Sequence, residues 1–306
     1  ILENKIDGIK LSSDSKKIIQ KSKQTISPVL KFKSANQAQL TPSITWVNNQ
    51  NISMNQVIND HIYLGFTTYF DHKTNTLIPI KHNPLLKPLI KDPSYKLPIG
   101  LALFLKLNSD ISIELPKKLD PIITNFKNID TLKIEPNTKK ILRPFQQDGL
   151  KWLLTLNKSK LGGILADDMG LGKTIQTIKL LKVIHKNNTA PSLIIVPKTL
   201  LFNWKNEFKN FAPSLNILIF DGPNRQSLIE KFNSTDIILC SYNSARIDID
   251  TLIKTTFEYL ILDEAQYVKN HTTNTFKEIK KIKSNHTLLL TGPPIENSIS
   301  DLWSLM

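Results

Sequence analysis

Over the second half of the chain, short apolar runs alternate with stretches whose apolar positions recur every three or four residues. The runs fall at 163–166, 192–196, 216–220, 236–240, 259–262 and 287–290. Several of these runs are apolar throughout, and with turn residues bounding them they read as strands buried on both faces. Helical spacing covers 175–185, 200–210, 226–232 and 272–282 between them. Strands alternating with helices predict an α/β domain around a parallel sheet. Ligands of such sheets bind beyond the carboxyl ends of the strands. Just upstream, 142–153 has the pattern of an amphipathic helix with Phe145, Leu150, Trp152 and Leu153 on its buried side.

The first 140 residues read differently. Residues 1–50 are polar and lysine-rich, with weak helical spacing at 9–19 and a short strand at 43–47. From 61 to 135 the pattern is β-like, with runs at 62–70, 99–107 and 111–115. Prolines at 79, 84, 88, 93 and 98 cut it into short pieces. This predicts a smaller α+β or mostly β accessory region over 1–140, of unknown role, before the α/β domain over 141–306.

The first candidate chemistry follows the 163–166 run. It reads Asp167-Asp168-Met169-Gly170-Leu171-Gly172-Lys173-Thr174, with a helical pattern behind it. Glycines let the backbone turn tightly and bring its N–H groups near an anion, and the helix points its positive end at the same place. These features predict a phosphate-binding loop, with backbone from Asp168 to Thr174 around the phosphates. Lys173 reaches the β- and γ-phosphates, and the Thr174 hydroxyl holds Mg²⁺. The general loop has Gly where Asp167 stands.

A second constellation supports the first. The run 259–262 ends in Asp263-Glu264-Ala265-Gln266. An acid at a neighbouring strand end shares the magnesium with Thr174, a role that suits Asp263. Glu264 then orients or deprotonates the attacking water. The run 287–290 ends in Thr291-Gly292-Pro293-Pro294, where the prolines stop the strand. Thr291 is placed to hydrogen-bond the acidic pair. Gln146 offers an amide that donates and accepts at once, as recognition of an adenine edge requires.

Charge widens the picture to partners. The net charge is +14 and the isoelectric point about 9.6, which suits a polyanionic partner. Nearly all of that charge is lysine, since arginine occurs only at 143, 225 and 246. Lysine and asparagine richness also follows from an AT-rich genome. The single cysteine, Cys240, excludes a disulfide framework and predicts a reducing compartment. No apolar run is long enough to span a bilayer, so no membrane partner is expected.

These stretches together resemble superfamily-two helicase-like ATPases, and in detail the Swi/Snf family of double-stranded-DNA translocases. The resemblance rests on 142–149, 167–174, Pro197-Lys198 with Asn203-Trp204, 263–266, and Thr291 through Ile295-Glu296-Asn297 followed by Asp301-Leu302-Trp303-Ser304. It covers about 141–306. Asp167 is usual at its position in this family. Gln266 stands where many relatives have His and matches the bacterial-like DEAQ form. Pro293 stands where Thr is usual, which bears on coupling between nucleotide and DNA.

The resemblance implies a RecA-like parallel sheet with helices on both faces, a P-loop NTPase lobe. It implies ATP and Mg²⁺ as cofactors, with Lys173, Asp263 and Glu264 catalytic and Gln266 and Thr291 coupling. Lys198, Ser241 and Tyr242 are implied on the DNA-facing side, against backbone phosphates. It further implies a second RecA-like lobe in cis that supplies an arginine finger. The start at Ile1 and the end at Met306, within a helical pattern, suggest a piece of a longer protein. Such a piece binds ATP weakly and hydrolyses it slowly. RNA polymerase or another DNA-bound protein is the candidate target, in the cytoplasm of a bacterium or the nucleus of a eukaryote. The alternatives are an RNA or DNA helicase of the same superfamily and a truncated, non-catalytic nucleic-acid-binding module.

Overall fold

The computed structural model describes residues 20–21, 27–34, 39–47, 68–71, 76–80, 97–108, 112–187, 190–265 and 274–292. By compactness the chain divides into Ile1–Thr124 and Asn125–Met306. Residues 125–140 therefore count with the second unit, where Ile134 packs against the main core.

The first unit holds two small sheets. Its strands are β1 (Gln20–Lys21), β2 (Ser27–Ser34), β3 (Gln39–Val47), β4 (Thr68–Asp71), β5 (Thr76–Pro79), β6 (Leu97–Pro98) and β7 (Ser112–Glu114). They are ordered β6-β3-β2-β7 and β1-β5-β4. In β2, Leu30 and Phe32 are buried while Lys31 and Lys33 are exposed. That period of two gives the sheet one apolar face. The run at 99–107, expected to be β-like, is instead helix α1 (Ile99–Asn108). An apolar run lacks a period that separates strand from helix. Leucine and alanine favour the helix, and Pro98 is tolerated just before its first turn. The expected strands at 43–47 and 111–115 are the end of β3 and β7. The helical spacing at 9–19 and most of the 62–70 run lie outside the described residues.

The second unit adds helices α2 (Asp120–Lys127), which reaches into it, α3 (Pro136–Ile141) and α4 (Pro144–Lys158). Then come β8 (Gly163–Leu165), α5 (Lys173–Ile184), β9 (Ser192–Val196), α6 (Leu201–Phe211), β10 (Ile217–Phe220) and β11 (Ile237–Ser241). After these follow α7 (Tyr242–Ile247), α8 (Ile249–Leu252), β12 (Thr256–Leu262), α9 (Asn274–Ile279) and β13 (Lys283–Leu290). The six strands form one sheet, ordered β10-β11-β9-β12-β13-β8, and every pair is parallel. All six are the runs expected from the sequence.

Alternation along each strand divides the core between two faces. Ile194, Val196, Ile237, Leu239 and Ile261 point to one face, where Leu150, Leu153, Ile178, Trp204 and Phe208 meet them from α4, α5 and α6. Leu193, Ile195, Ile238, Cys240 and Leu260 point to the other, against Phe232, Ala245, Leu252 and Ile279. Each such fully buried aliphatic side chain contributes about 1.5–3 kcal/mol. Burial also pushes the Cys240 thiol up, keeping it protonated and unreactive.

Two helix expectations need correction. Phe145 is 42% exposed and Trp152 is half-buried. The buried stripe of α4 passes through Gln146, Leu150 and Leu153, so the polar Gln146 occupies the place expected of Phe145. The 226–232 stretch is a 3₁₀ segment, Arg225–Ser234, rather than an α-helix. Ser227 and Ser234 donate their hydroxyls to the carbonyls of Asn224 and Lys231, local bonds that compete with regular α-helix.

Two buried histidines give the unit a definite pH response. Burial lowers the pKa of His185, against the opposing charges of Asp236 and Glu258. Burial also lowers that of His286, against the Leu161 backbone and Glu258, with Lys160 adding to the drop. The unfolded chain then binds a proton near pH 6.5 that the folded chain refuses. Stability is full above that pH and falls below it, by about 1.4 kcal/mol per unit for each histidine until its folded pKa is reached. Thermal melts from pH 7 to 5 should show this slope, and His185→Gln should make it shallower. An equal slope in the variant would exclude His185 from the effect.

Candidate active site

Strand register fixes where the chemistry sits. Leu165 pairs with Leu290, Leu289 with Leu262, Leu262 with Ile195 and Ile195 with Cys240. Five parallel strands thus end at one level. The segments beginning at Ala166, Thr291, Asp263, Pro197 and Tyr242 leave from the same edge. The loop after β8 and the acids after β12 are two strands apart, about 10 Å.

Gly170 and Gly172 both have φ of 82°, a left-handed conformation that glycine adopts without penalty. Gly172 caps α5 with no side-chain bond to the helix N-terminus. The first amides of a twelve-residue helix therefore face the loop without a capping side chain. Lys173 folds back so that its Nζ donates to the carbonyls of Asp167 at 2.7 Å and Asp168 at 3.2 Å. Gln176, fully buried, donates to Asp167 Oδ2 at 3.0 Å and ties the loop's first residue to α5. Its Oε1 lies 1.9 Å from where a Cβ on Gly149 would stand, so a larger residue there on α4 would displace the Gln176 amide.

Gln146 reaches the loop from α4. Its Oε1 accepts from the Arg143 N–H at 3.0 Å, and its Nε2 donates to the Leu171 carbonyl at 3.0 Å. Both ends of the amide are engaged inside the protein. A Cβ on Gly172 would lie 2.4 Å from that Nε2, whereas one on Gly170 meets nothing within 4 Å. The two glycines therefore separate strain from crowding. Both alanine variants carry the left-handed cost of about 1–2 kcal/mol, but Gly172→Ala also displaces Gln146. Denaturant melts should show the larger loss for Gly172→Ala. Equal losses would mean that the Gln146 contact contributes nothing.

Asp263 is buried at the end of β12. Its Oδ2 accepts from the Trp204 indole N–H at 2.8 Å, and its Oδ1 from the Glu264 N–H at 2.9 Å. Its carbonyl accepts from the Tyr242 hydroxyl at 2.8 Å. Burial pushes its carboxyl above the usual range; the Trp204 and Glu264 hydrogen bonds oppose this, the Glu264 charge adds to it, and the Lys173 charge opposes it. Glu264 has φ of 50°. A glutamate in this left-handed region is strained, a conformation that clusters at functional sites. Thr174 is half-buried at the start of α5. Thr291 is buried, and its N–H donates to the Leu165 carbonyl at 3.3 Å. Gly292 is so close to Met169 that an added Cβ would touch it at 3.8 Å. Gln266 and 293–306 lie outside the described residues.

Further along the edge, Lys198 is exposed and its Nζ is 3.9 Å from Asp221. Ser241 and Tyr242 are buried. Ser241 donates to Asp221 at 2.6 Å and caps α7 through the Ser244 N–H. Of the three expected phosphate contacts, only Lys198 offers its side chain to solvent. Asp221 was not singled out in the sequence. Burial raises its pKa, but bonds from Ser241 and Ser244 and the charges of Lys198 and Arg225 outweigh that and lower it. Trp204 and Gln176 carry no sequence signal of a site role, although Asn203-Trp204 is among the residues of the family resemblance. A buried tryptophan needs a partner for its N–H, but its sequence position does not say which.

An uncapped helix N-terminus, a lysine whose ammonium rests on two loop carbonyls, and a nearby buried carboxylate fit a magnesium–nucleotide. Comparison with known proteins agrees. The SNF2-related domain family matches residues 145–306. An uncharacterized ATP-dependent helicase of Mycoplasma pneumoniae is 45% identical over 181 residues, covering 58% of this chain and 18% of that protein. The TATA-binding protein-associated factor MOT1 of Saccharomyces cerevisiae is 43% identical over 182 residues, covering 55% of this chain and 10% of that protein. The chain thus spans less than a fifth of the length of these two relatives. The SWI2/SNF2 ATPase core of Sulfolobus solfataricus, solved in complex with double-stranded DNA, superposes with a TM-score of 0.51 at 43% identity, covering 54% of this chain and 35% of that one. With its α/β sheet and its loop and acid motifs matched over more than half its length, this chain belongs to the SNF2-related, Swi/Snf-type ATPase family, and its second unit is the first RecA-like lobe.

Proposed function

We propose that the chain is the nucleotide-binding lobe of an ATP-dependent motor that moves along double-stranded DNA or displaces protein bound to it. The observation that carries this is the shared sheet edge. The phosphate loop, Asp263-Glu264 and the Lys198 turn all leave from strand ends at one level. Nucleotide chemistry and contact with a polyanion can therefore be linked through adjacent strands. The relative solved with double-stranded DNA supports that choice of polymer.

In this reading the α5 amides and the Lys173 ammonium hold the phosphates, and Lys173 neutralises charge that builds on them. Thr174 and Asp263 hold Mg²⁺, which polarises the phosphoryl oxygens when bound. Glu264 orients the attacking water and accepts its proton. Lys198 contacts backbone phosphates, which gives affinity without sequence preference. Thr291 and Gln266 relay the state of the site. The chain acts inside the cell, among DNA-bound proteins. A second lobe supplies an arginine worth about 10³–10⁵ in rate, so this chain alone turns over slowly.

The test is the ATPase rate of the full-length gene product with and without duplex DNA at two salt concentrations. Stimulation that fades with salt is expected, since phosphate contacts release counterions. ATP turnover indifferent to any DNA would instead favour an RNA- or protein-directed switch.

A further inference from the structure

Asp263 is where two segments from the shared sheet edge converge. The segment after β9 runs through Lys198 into α6 and delivers the Trp204 indole to the Asp263 carboxylate. The segment after β11 opens α7 and delivers the Tyr242 hydroxyl to the Asp263 carbonyl. One donor fixes the side chain, and the other fixes the backbone that carries it.

We propose that Trp204 is a positioning residue for Asp263: its buried indole N–H holds the carboxylate in the orientation that receives the divalent cation. This deepens the proposed function and rests on Asp263 holding that cation.

The geometry argues for positioning rather than incidental packing. A carboxylate on a strand end turns about two bonds, and a donor on each oxygen stops that rotation. Trp204 supplies the donor on Oδ2 and the Glu264 N–H the donor on Oδ1. Each oxygen keeps acceptor capacity for a cation. Trp204 itself is 1% exposed and packs against Phe208 with ring centroids 6.0 Å apart. It cannot follow a carboxylate that swings away. If the carboxylate did so, a buried N–H and a buried carboxylate would each lose a partner. Indole donates and never accepts, so it matches the anion that a cation requires. A shift of α6 after contact at Lys198 would reach Asp263 directly through this bond.

The test compares the wild type with Trp204→Phe, which keeps an aromatic ring but removes the pyrrole portion that carries the N–H, in the full-length gene product. Mn²⁺ titrations of the protein bound to a non-hydrolysable ATP analogue, followed by electron paramagnetic resonance, report the cation site without turnover. Loss of a hydrogen bond behind a metal ligand typically weakens metal binding about 10–100-fold. We expect that loss for Trp204→Phe, with metal-free ATP affinity unchanged and Asp263→Asn marking the full loss. Unchanged Mn²⁺ affinity in a folded Trp204→Phe would overturn the proposal.

Should that variant not fold, the wild type labelled with 5-fluorotryptophan decides. The Trp204 fluorine resonance, assigned by Asp263→Asn, should shift when Mg²⁺ joins bound ATP, and a static resonance overturns the proposal. None of these measurements contains DNA. A motor unmoved by duplex DNA would therefore defeat the proposed function and leave Trp204 standing. A wild type that binds no Mn²⁺ with ATP would remove both.

Discussion

Glu264→Gln is expected to bind Mg-ATP as the wild type does and to lose about 10²–10⁴-fold in turnover, the usual share of a positioned general base. The substitution is nearly isosteric. The backbone N–H of residue 264 still donates to Asp263 Oδ1, so the neighbouring carboxylate stays in place. What disappears is the group that accepts a proton. The strained φ of 50° at this position is retained, and the fold should melt at the same temperature. Phosphate release and equilibrium ATP binding, measured on the same preparation, separate the two steps. Turnover within threefold of the wild type would remove Glu264 from the reaction.

Lys173→Ala should act one step earlier and weaken ATP binding itself. Its ammonium now rests on the carbonyls of Asp167 and Asp168, and phosphate oxygens would take it over from them. A charge-assisted hydrogen bond contributes about 1.5–3 kcal/mol. Loss of the lysine should therefore weaken ATP on the order of 10²-fold or more, while duplex DNA binding in the absence of nucleotide stays near normal. Titration with a fluorescent ATP analogue reads the first quantity and a gel-shift series the second. Affinity within threefold of the wild type would mean that the lysine never leaves its carbonyls.

The sheet was legible because its short apolar runs recur between helical stretches. Runs such as 192–196 are apolar on both faces, bounded by turns and short, and their regular alternation with helical stretches favours buried strands. The phosphate loop and Asp263-Glu264 were legible because their spacing encodes a local shape. Residues whose roles depend on distant partners were not. Trp204 meets Asp263 from 59 positions away, and Asp221 meets Ser241 from 20 away. No local pattern encodes such meetings. Ser241 and Tyr242 follow a strand end and read as surface turn residues, yet Asp221 and Asp263 draw both hydroxyls inward. The helix at Ile99–Asn108 was misread because an apolar run without polar positions has no period to measure.

The pairing of β8 with β13 bears on how the site comes into being. In this sheet β8 is the first strand in chain order and β13 the last. They are nonetheless neighbours, and among the described residues β13 is the only strand that β8 pairs with. During synthesis, the segment that will cradle phosphate leaves the ribosome early and waits for its partner until the rest of the sheet has been made. Long-range pairings of this kind form slowly, because the chain must first close a large loop. The β8 side of the site therefore cannot join the sheet before the chain has been made as far as β13. A nascent chain that stalls before Lys283 would have the loop's sequence without the loop.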